Sequence, residues 1–258
     1  MQAQISSFRS VRRAFEVLIG NLGVFLPLAI ILAIPSTALR DGATAFLLGL
    51  ASGWLPAHGI IIDSQQGPIL AMALADILVL PWICIAGAFA SAALIHVFLR
   101  AEEGQTASLN DTIAFGLARW RRLIVPYTLA TLVIWVGSIV IIPGILYALF
   151  YAFVAPVAVL DLDVKHVLRR STRLTRGRRG RIFRVYMWMI WWWGWYATVG
   201  ALLLAGLHWS VRHLLAVGNE LVGFAIGMAL LKLFLERMKQ LRDLIDQREE
   251  QGGLVQKS

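Results

Sequence analysis

Charge is absent from five stretches of the chain, and the lengths of these stretches indicate its class. They cover residues 17–39, 77–99, 123–160, 185–211 and 221–231. A helix needs about 20 apolar residues to cross the hydrocarbon core of a bilayer. A soluble domain interrupts its apolar stretches with charge far more often than this chain does. The pattern therefore predicts an all-α fold, a polytopic membrane helix bundle in a single membrane domain, residues 1–258.

Six transmembrane helices account for the pattern. They are predicted at about residues 21–39, 70–99, 123–142, 145–161, 182–206 and 219–235. As one helix, the stretch 123–160 would be about 57 Å long, which exceeds the thickness of any bilayer. Pro143 and Gly144 are therefore expected to divide it into a hairpin of two spans. Asn21 is expected to cap the first span, and Pro81 to kink the second.

Basic residues indicate the orientation of the chain. With six spans and the N-terminus inside, 22 of the 24 Lys and Arg residues lie on the cytoplasmic side, and only Arg40 and Arg212 lie outside. Counting residues 43–62 as a seventh span would move 19 basic residues from the cytoplasmic side to the outside, against the positive-inside rule. Residues 43–62 are therefore predicted to form a surface or re-entrant helix. Both termini are predicted to be cytoplasmic, in a multi-pass protein of a bacterial inner membrane.

Amphipathic segments are predicted to lie on the cytoplasmic membrane surface. Residues 4–18 and 108–122 each place apolar positions on one helix face beside arginines. Residues 163–181 do the same, with Gly177 as the expected C-cap. The apolar stripe of that segment is predicted to contain Val164, Leu168, Thr172 and Thr175. A highly charged helix is predicted at 236–250.

A family resemblance rests on a series of short matches. They are Pro143-Gly144-Ile145, Ala155-Pro156-Val157, Arg170-Ser171, Leu174-Thr175, Gly177 and Arg181-Ile182-Phe183. This stretch resembles a widespread bacterial family of six-helix membrane proteins, which is similar to the membrane domain fused to some glycerophosphoryl diester phosphodiesterases. The chain departs from the family by offering Asp161 and Asp163 where Glu is usual. Because no segment matches the phosphodiesterase catalytic barrel, the resemblance implies a fold and a location and does not imply an activity.

Arginines and tryptophans at the start of the fifth span form the main candidate site. The predicted lipid-headgroup residues are Arg170, Arg173, Arg176, Arg178, Arg179, Arg181 and Arg184. Each exposed basic residue near an anionic leaflet contributes about 1 kcal/mol of attraction. The predicted apolar wall for a lipid consists of Trp188, Trp192 and Trp195. A simpler interpretation, charge that only orients the spans plus an interfacial aromatic belt, explains the same residues.

Other chemistry is sparse. Asp76 lies in an apolar stretch and is a candidate for ion coupling, although its predicted position near the outer end lets water reach it. The one cysteine, Cys84, and the lack of a His/Cys cluster predict neither a metal site nor another cofactor. The net charge of +9 is explained by the membrane, and no nucleic-acid partner is expected because no known nucleic-acid-binding motif is present.

Three functions stay open at this point. The leading one is a non-catalytic membrane protein that engages anionic lipid or a membrane-protein partner at the cytoplasmic leaflet and organises membrane or envelope components. The absence of catalytic motifs from the sequence predicts that the chain is not an enzyme. A small transporter or carrier subunit is the alternative, and it requires a polar pathway through the bundle. A membrane-embedded lipid enzyme is the second alternative.

Overall fold

The computed structural model of the chain describes residues 2–54, 58, 66–138, 140–160, 166–204 and 209–255. Within these residues every regular element is a helix, which confirms the all-α prediction. The α-helices are α1 Gln2–Gly20, α2 Leu22–Gly49, α3 Gln66–Glu102, α4 Leu109–Gly137, α5 Ile141–Tyr151, α6 Val154–Leu160, α7 Val167–Thr175, α8 Arg179–Leu204 and α9 Trp209–Val255. A π-helical segment, Leu50–Trp54, follows α2.

Three helical stretches among the described residues are long and apolar enough to cross a membrane. They are Leu22–Gly53, Leu70–Glu102 and Ile142–Leu160, with mean hydropathies of 2.2, 2.2 and 2.0. Stretches of this length and composition are typical of a membrane protein. The spans expected in the rest of the chain stay a prediction.

Helix α2 extends well past the predicted end of the first span. It continues to Gly49 and passes directly into the π-helical segment, so residues 43–54 belong to the same helical rod. The prediction of a separate helix at 43–62 is therefore wrong for this part, and most of 55–62 lies outside the described residues. The charge at Arg40 does not end the helix because Asp76 of α3 pairs with it.

Helix α4 joins two elements that were predicted separately. It begins at Ser108, whose hydroxyl accepts a hydrogen bond from the Asp111 backbone N–H at 3.1 Å, and it runs without a break to Gly137. The interruption before α5 therefore begins at Ser138, and the predicted break at Pro143-Gly144 is too late. Pro143 lies in the first turn of α5, where a missing N–H costs no hydrogen bond.

Helix α9 is a single element of 47 residues, about 70 Å long. It contains the predicted sixth span, the predicted C-terminal helix 236–250 and ten further residues before the predicted span. The span predicted at 219–235 and the charged helix predicted at 236–250 are therefore parts of one continuous helix, and the point where it leaves the membrane stays a prediction. Lys232, near the junction of the two parts, pairs with Glu102 of α3 instead of interrupting the helix.

The core is one cluster of buried residues to which each of the helices α1 to α9 contributes. Ala88, Ala92 and Ala93 of α3 are fully buried, and such small residues allow helix backbones to approach closely. The rings of Phe25 and Phe224 meet at 5.6 Å between α2 and α9. This packing places α1 along α9 and brings α8 beside both helices.

Asn21 separates α1 from α2 but does not act as the predicted cap. It occupies the N-cap position, yet its side-chain amide donates to the Val17 carbonyl at 3.0 Å, and its side chain makes no capping hydrogen bond to α2. Its side chain therefore secures the end of α1 instead of the start of α2.

Candidate functional site

Ion pairs form two layers along α3. At one end, Asp76 accepts from both Nε and an Nη of Arg40, at 2.7 and 2.9 Å. At the other end, Glu102 accepts from Arg13 at 3.1 Å and from Lys232 at 2.5 Å. Asp76 and Glu102 are 26 positions apart, about 39 Å along a helix. Since a bilayer is about 40–45 Å thick with its headgroups, the two layers have the spacing of its two surfaces.

The pairing with Arg40 gives Asp76 a structural role. Both side chains are exposed by about half, and an exposed ion pair of this kind contributes about 0–1 kcal/mol to stability. The acid is therefore the partner of a base at one end of the helix pair and does not stand alone in an apolar stretch. Ion coupling through Asp76 stays a prediction, and the described geometry adds no support to it.

Helix α7 is amphipathic, and its buried face agrees only in part with the predicted stripe: Thr175 is buried as predicted, Leu168 and Thr172 are half-buried, and Val164 lies outside the described residues. Its buried residues are Val167, Ser171, Leu174 and Thr175. The Ser171 hydroxyl donates to the Phe150 carbonyl at 2.9 Å and accepts from the Phe153 N–H at 3.3 Å, which ties α7 to the junction of α5 and α6. The opposite face exposes Arg169, Arg170 and Arg173.

Gly177 ends α7 as predicted. The burial of Arg178, the next residue, contradicts its predicted contact with a lipid headgroup. The glycine has a φ of +83°, the left-handed conformation typical of a helix C-terminus. The Arg178 side chain is only 6% exposed, so its inclusion among the lipid-headgroup residues is wrong. The turn at Gly177 directs this guanidinium toward α9 and away from the surface.

Arg178 joins the turn between α7 and α8 to α9. Its guanidinium donates to the Leu233 carbonyl at 3.4 Å and to the Gln240 side chain, and it lies 3.7 Å from the Glu236 carboxylate. Burial lowers the pKa of Arg178, and neighbouring Arg181 also lowers it, whereas Glu236 raises it. Three polar groups of α9 thus contact the Arg178 guanidinium.

The other predicted headgroup arginines divide into two groups. Arg170, Arg173 and Arg176 are exposed, as a surface contact requires. Arg179, Arg181 and Arg184 are half-buried at the start of α8. The Arg179 guanidinium lies 4.4 Å from the centre of the Phe150 ring, a cation–π contact that holds α8 against α5.

An apolar groove of about 420 Å³ lies between α1, α8 and α9. We call it the tryptophan groove; its lining includes Phe8, Phe15, Trp188, Trp191, Val222 and Ile226. Trp188 belongs to the predicted apolar wall, and Trp191 stands beside it with the two rings 6.1 Å apart. Trp195 is exposed and does not belong to the lining, and the Trp192 side chain lies outside the described residues.

Arg12 connects the tryptophan groove to a charged pocket of about 460 Å³. It lines both spaces. The charged pocket is also lined by Arg9, Ser10, Arg13, Glu16, Lys232 and Glu236. Sequence reasoning did not bring these residues together, because α1 and α9 are the first and last helices of the chain. An apolar space and a net basic space therefore meet at one guanidinium.

A second cavity, about 370 Å³ in volume, lies between α3, α4, α8 and α9 and opens to the surface beside the exposed Gly223. We call it the interior cavity; its polar lining consists of Ser91, Tyr127, Thr131, Tyr151, Tyr186 and Glu220. Sequence reasoning missed Glu220 because the sixth span was placed at 219–235, which put the acid at a span end. In the structure α9 begins ten residues earlier, and Glu220 is 12 positions, about 18 Å, from Lys232. It therefore lies between the two layers of ion pairs.

Comparison with known proteins gives no further assignment: no family model, no curated protein and no solved structure matches this chain. The resemblance to the six-helix family stays a prediction. Among the described residues, no group of three or more His, Cys, Asp or Glu side chains is placed to hold a metal ion. The tryptophan groove, the charged pocket and the interior cavity are the features from which a function can be argued.

Proposed function

We propose that this chain is a non-catalytic integral membrane protein that binds anionic phospholipid in the cytoplasmic leaflet. The observation that carries the proposal is the position of Arg12, which lines both the tryptophan groove and the charged pocket. A phospholipid has the matching construction, an apolar chain attached to a charged headgroup. The groove accommodates the chain, and the pocket receives the phosphate.

The charged pocket favours an anion. Its lining contains four basic side chains against two carboxylates. Arg12 pairs with Glu16 at 2.9 Å, and Arg13 and Lys232 pair with Glu102, so a bound phosphate would share Arg12 with Glu16. An arginine presents two parallel N–H groups to a phosphate, which gives both attraction and orientation. The exposed arginines of α7 add longer-range attraction to an anionic surface, about 1 kcal/mol each.

The proposal includes six spans with both termini in the cytoplasm. The distribution of basic residues supports this orientation. The layer formed by Arg13, Glu102 and Lys232 then lies at the cytoplasmic surface, and the layer formed by Arg40 and Asp76 lies at the outer surface. The tryptophan groove and the charged pocket are lined by α1 residues close to the cytoplasmic layer.

Cysteine labelling tests this orientation. In a Cys84→Ala background, His58→Cys should react with a membrane-impermeant maleimide in intact cells, whereas Gln105→Cys should react only after permeabilisation. Both positions are exposed, so a difference between them reports the side of the membrane and not burial. Labelling of Gln105→Cys in intact cells would refute the proposed orientation.

Lipid binding is tested with the purified full chain in detergent. Native mass spectrometry should show that phosphatidylglycerol binds more tightly than phosphatidylcholine with the same acyl chains. Arg12→Gln should weaken phosphatidylglycerol binding about tenfold, because a charged hydrogen bond contributes about 1.5–3 kcal/mol. Arg122→Gln is the matched control, since it removes an exposed arginine that lines neither space.

A second pair of variants tests whether the tryptophan groove binds the acyl chain. Trp191→Ala should weaken the binding of both lipids, whereas Trp135→Ala, which removes an exposed tryptophan of α4, should leave binding unchanged. Equal affinity for the two lipids, together with no effect of Arg12→Gln, would reject an anionic lipid site at the groove.

A further inference from the structure

The interior cavity has one carboxylate, that of Glu220, among its described lining residues. No lysine, arginine or histidine is among the described residues that line it. Lys232 is 12 positions, about 18 Å, from Glu220 along α9 and pairs with Glu102 of α3, and the side chains of Arg212 and His213 on α9 lie outside the described residues. An acid at this depth is costly unless a proton or a cation accompanies it.

The rest of the lining suits an organic cation better than a metal ion. Beside Glu220 the cavity offers hydroxyl groups and the aromatic side chains of Tyr127, Tyr151 and Tyr186. Aromatic rings attract ammonium groups, and tyrosines recur in sites for quaternary amines. A divalent metal ion needs several carboxylate, carbonyl or imidazole ligands at close range, whereas this cavity has one carboxylate. Its volume of about 370 Å³ lies within the range of small-molecule sites.

The walls of the cavity are fixed from several helices. The Tyr127 side chain of α4 lies against Gly87 of α3, where an added Cβ would be 2.5 Å from the Tyr127 hydroxyl. The Tyr186 hydroxyl of α8 donates to the Ala148 carbonyl of α5 at 3.4 Å. By contrast, Gly223 of α9 lines the cavity and has no atom within 4 Å of the position of a Cβ. The space beside Glu220 is therefore open.

We propose that the interior cavity binds a small organic cation, with the Glu220 carboxylate pairing with its ammonium group. The site is distinct from the tryptophan groove, which lies on the other side of α9; Ile226 contributes to both linings. Binding of a cation here neutralises the carboxylate inside the apolar part of the bundle. The chain thus has a ligand site in addition to the proposed lipid site.

The test measures the binding of radiolabelled benzyltrimethylammonium to the purified full chain by equilibrium dialysis. We expect saturable binding that choline displaces and that its neutral analogue, 3,3-dimethyl-1-butanol, does not. Glu220→Gln should weaken binding at least tenfold, whereas Asp76→Asn, which removes an acid outside the cavity, should not change it. Phosphatidylglycerol binding should be retained in Glu220→Gln, so that this result is independent of the lipid site.

A second pair of variants tests the location without changing any charge. Gly223→Val fills the open space beside Glu220 and should reduce binding at least tenfold. Gly218→Val is the control: it makes the same substitution on the same helix, its Cβ position also has no atom within 4 Å, and it does not line the cavity. This variant should bind the cation as the parent does. The proposal is overturned if the parent shows no saturable binding, if the neutral analogue competes as well as choline, if Glu220→Gln binds like the parent, or if the two valine variants behave alike.

Discussion

Gly144→Ala should lower the free energy of unfolding by about 2–3 kcal/mol, the upper range for overpacking of a close contact. A Cβ at this position would lie 2.7 Å from Cα and 2.9 Å from N of Ser138. These are backbone atoms at the end of α4, and they cannot rotate away as the tip of a side chain can. The substitution therefore has to separate α4 from α5.

The damage should extend to α7. Helix α5 contains Phe150, whose carbonyl accepts from the Ser171 hydroxyl of α7. Displacing α5 at Gly144 weakens this hydrogen bond as well as the contact between α4 and α5. Thermal or denaturant unfolding of the purified protein in detergent micelles would measure the loss.

Gly180→Ala provides the matched control for Gly144→Ala. Gly180 lies at the start of α8, and nothing is within 4 Å of its Cβ position. Because alanine favours helix over glycine by roughly 1 kcal/mol, this variant should be as stable as the parent or slightly more so. If the two alanine variants unfold alike, the close contact between Gly144 and Ser138 does not contribute to stability.

Arg178→Ala is expected to have a similarly large effect. Removing the side chain breaks its contacts with Leu233, Glu236 and Gln240 of α9 and leaves a space between α8 and α9. Loss of one member of a fully buried ion pair costs about 3–5 kcal/mol. Glu236 is 36% exposed and regains some hydration, so a loss of about 2–3 kcal/mol is expected.

Arg176→Ala separates burial from charge in this experiment. It removes an exposed arginine two residues before Arg178, and a surface substitution of this kind changes stability by about 0.5 kcal/mol or less. Unfolding in detergent without anionic lipid measures both variants on the same scale. Equal losses for the two variants would mean that the contacts of Arg178 with α9 are not what stabilises the turn between α7 and α8.

The class of the protein could be predicted from its charge-free stretches, but the helix boundaries could not. The first span was predicted to end at residue 39 and the sixth at residue 235, directly before Arg40 and Glu236. Each of them has a partner on another helix, Asp76 for Arg40 and Arg178 for Glu236. A paired charge does not stop a helix, and the pairing is a property of the tertiary structure that one sequence does not disclose.

The candidate sites were predictable to different degrees. Trp188 was identified from its position on an aromatic face of one helix, which is local information. Arg178 could not be distinguished from its neighbours because the segment 176–181, Arg-Gly-Arg-Arg-Gly-Arg, contains no apolar residue that marks the buried face. The role of Arg12 depends on the contact between the first and last helices, and that of Glu220 on where α9 begins.

The continuity of α9 has a mechanical consequence. Lys232 is fixed to Glu102, and Arg178 contacts Leu233, Glu236 and Gln240 further along the same helix. Beyond Gln240 the helix continues for 15 positions to Val255, an arm of about 22 Å. A tilt of about 10° at this clamp displaces the far end by about 4 Å. Because Glu220 belongs to the same unbroken helix, a tilt of α9 beside the interior cavity also moves its C-terminal end.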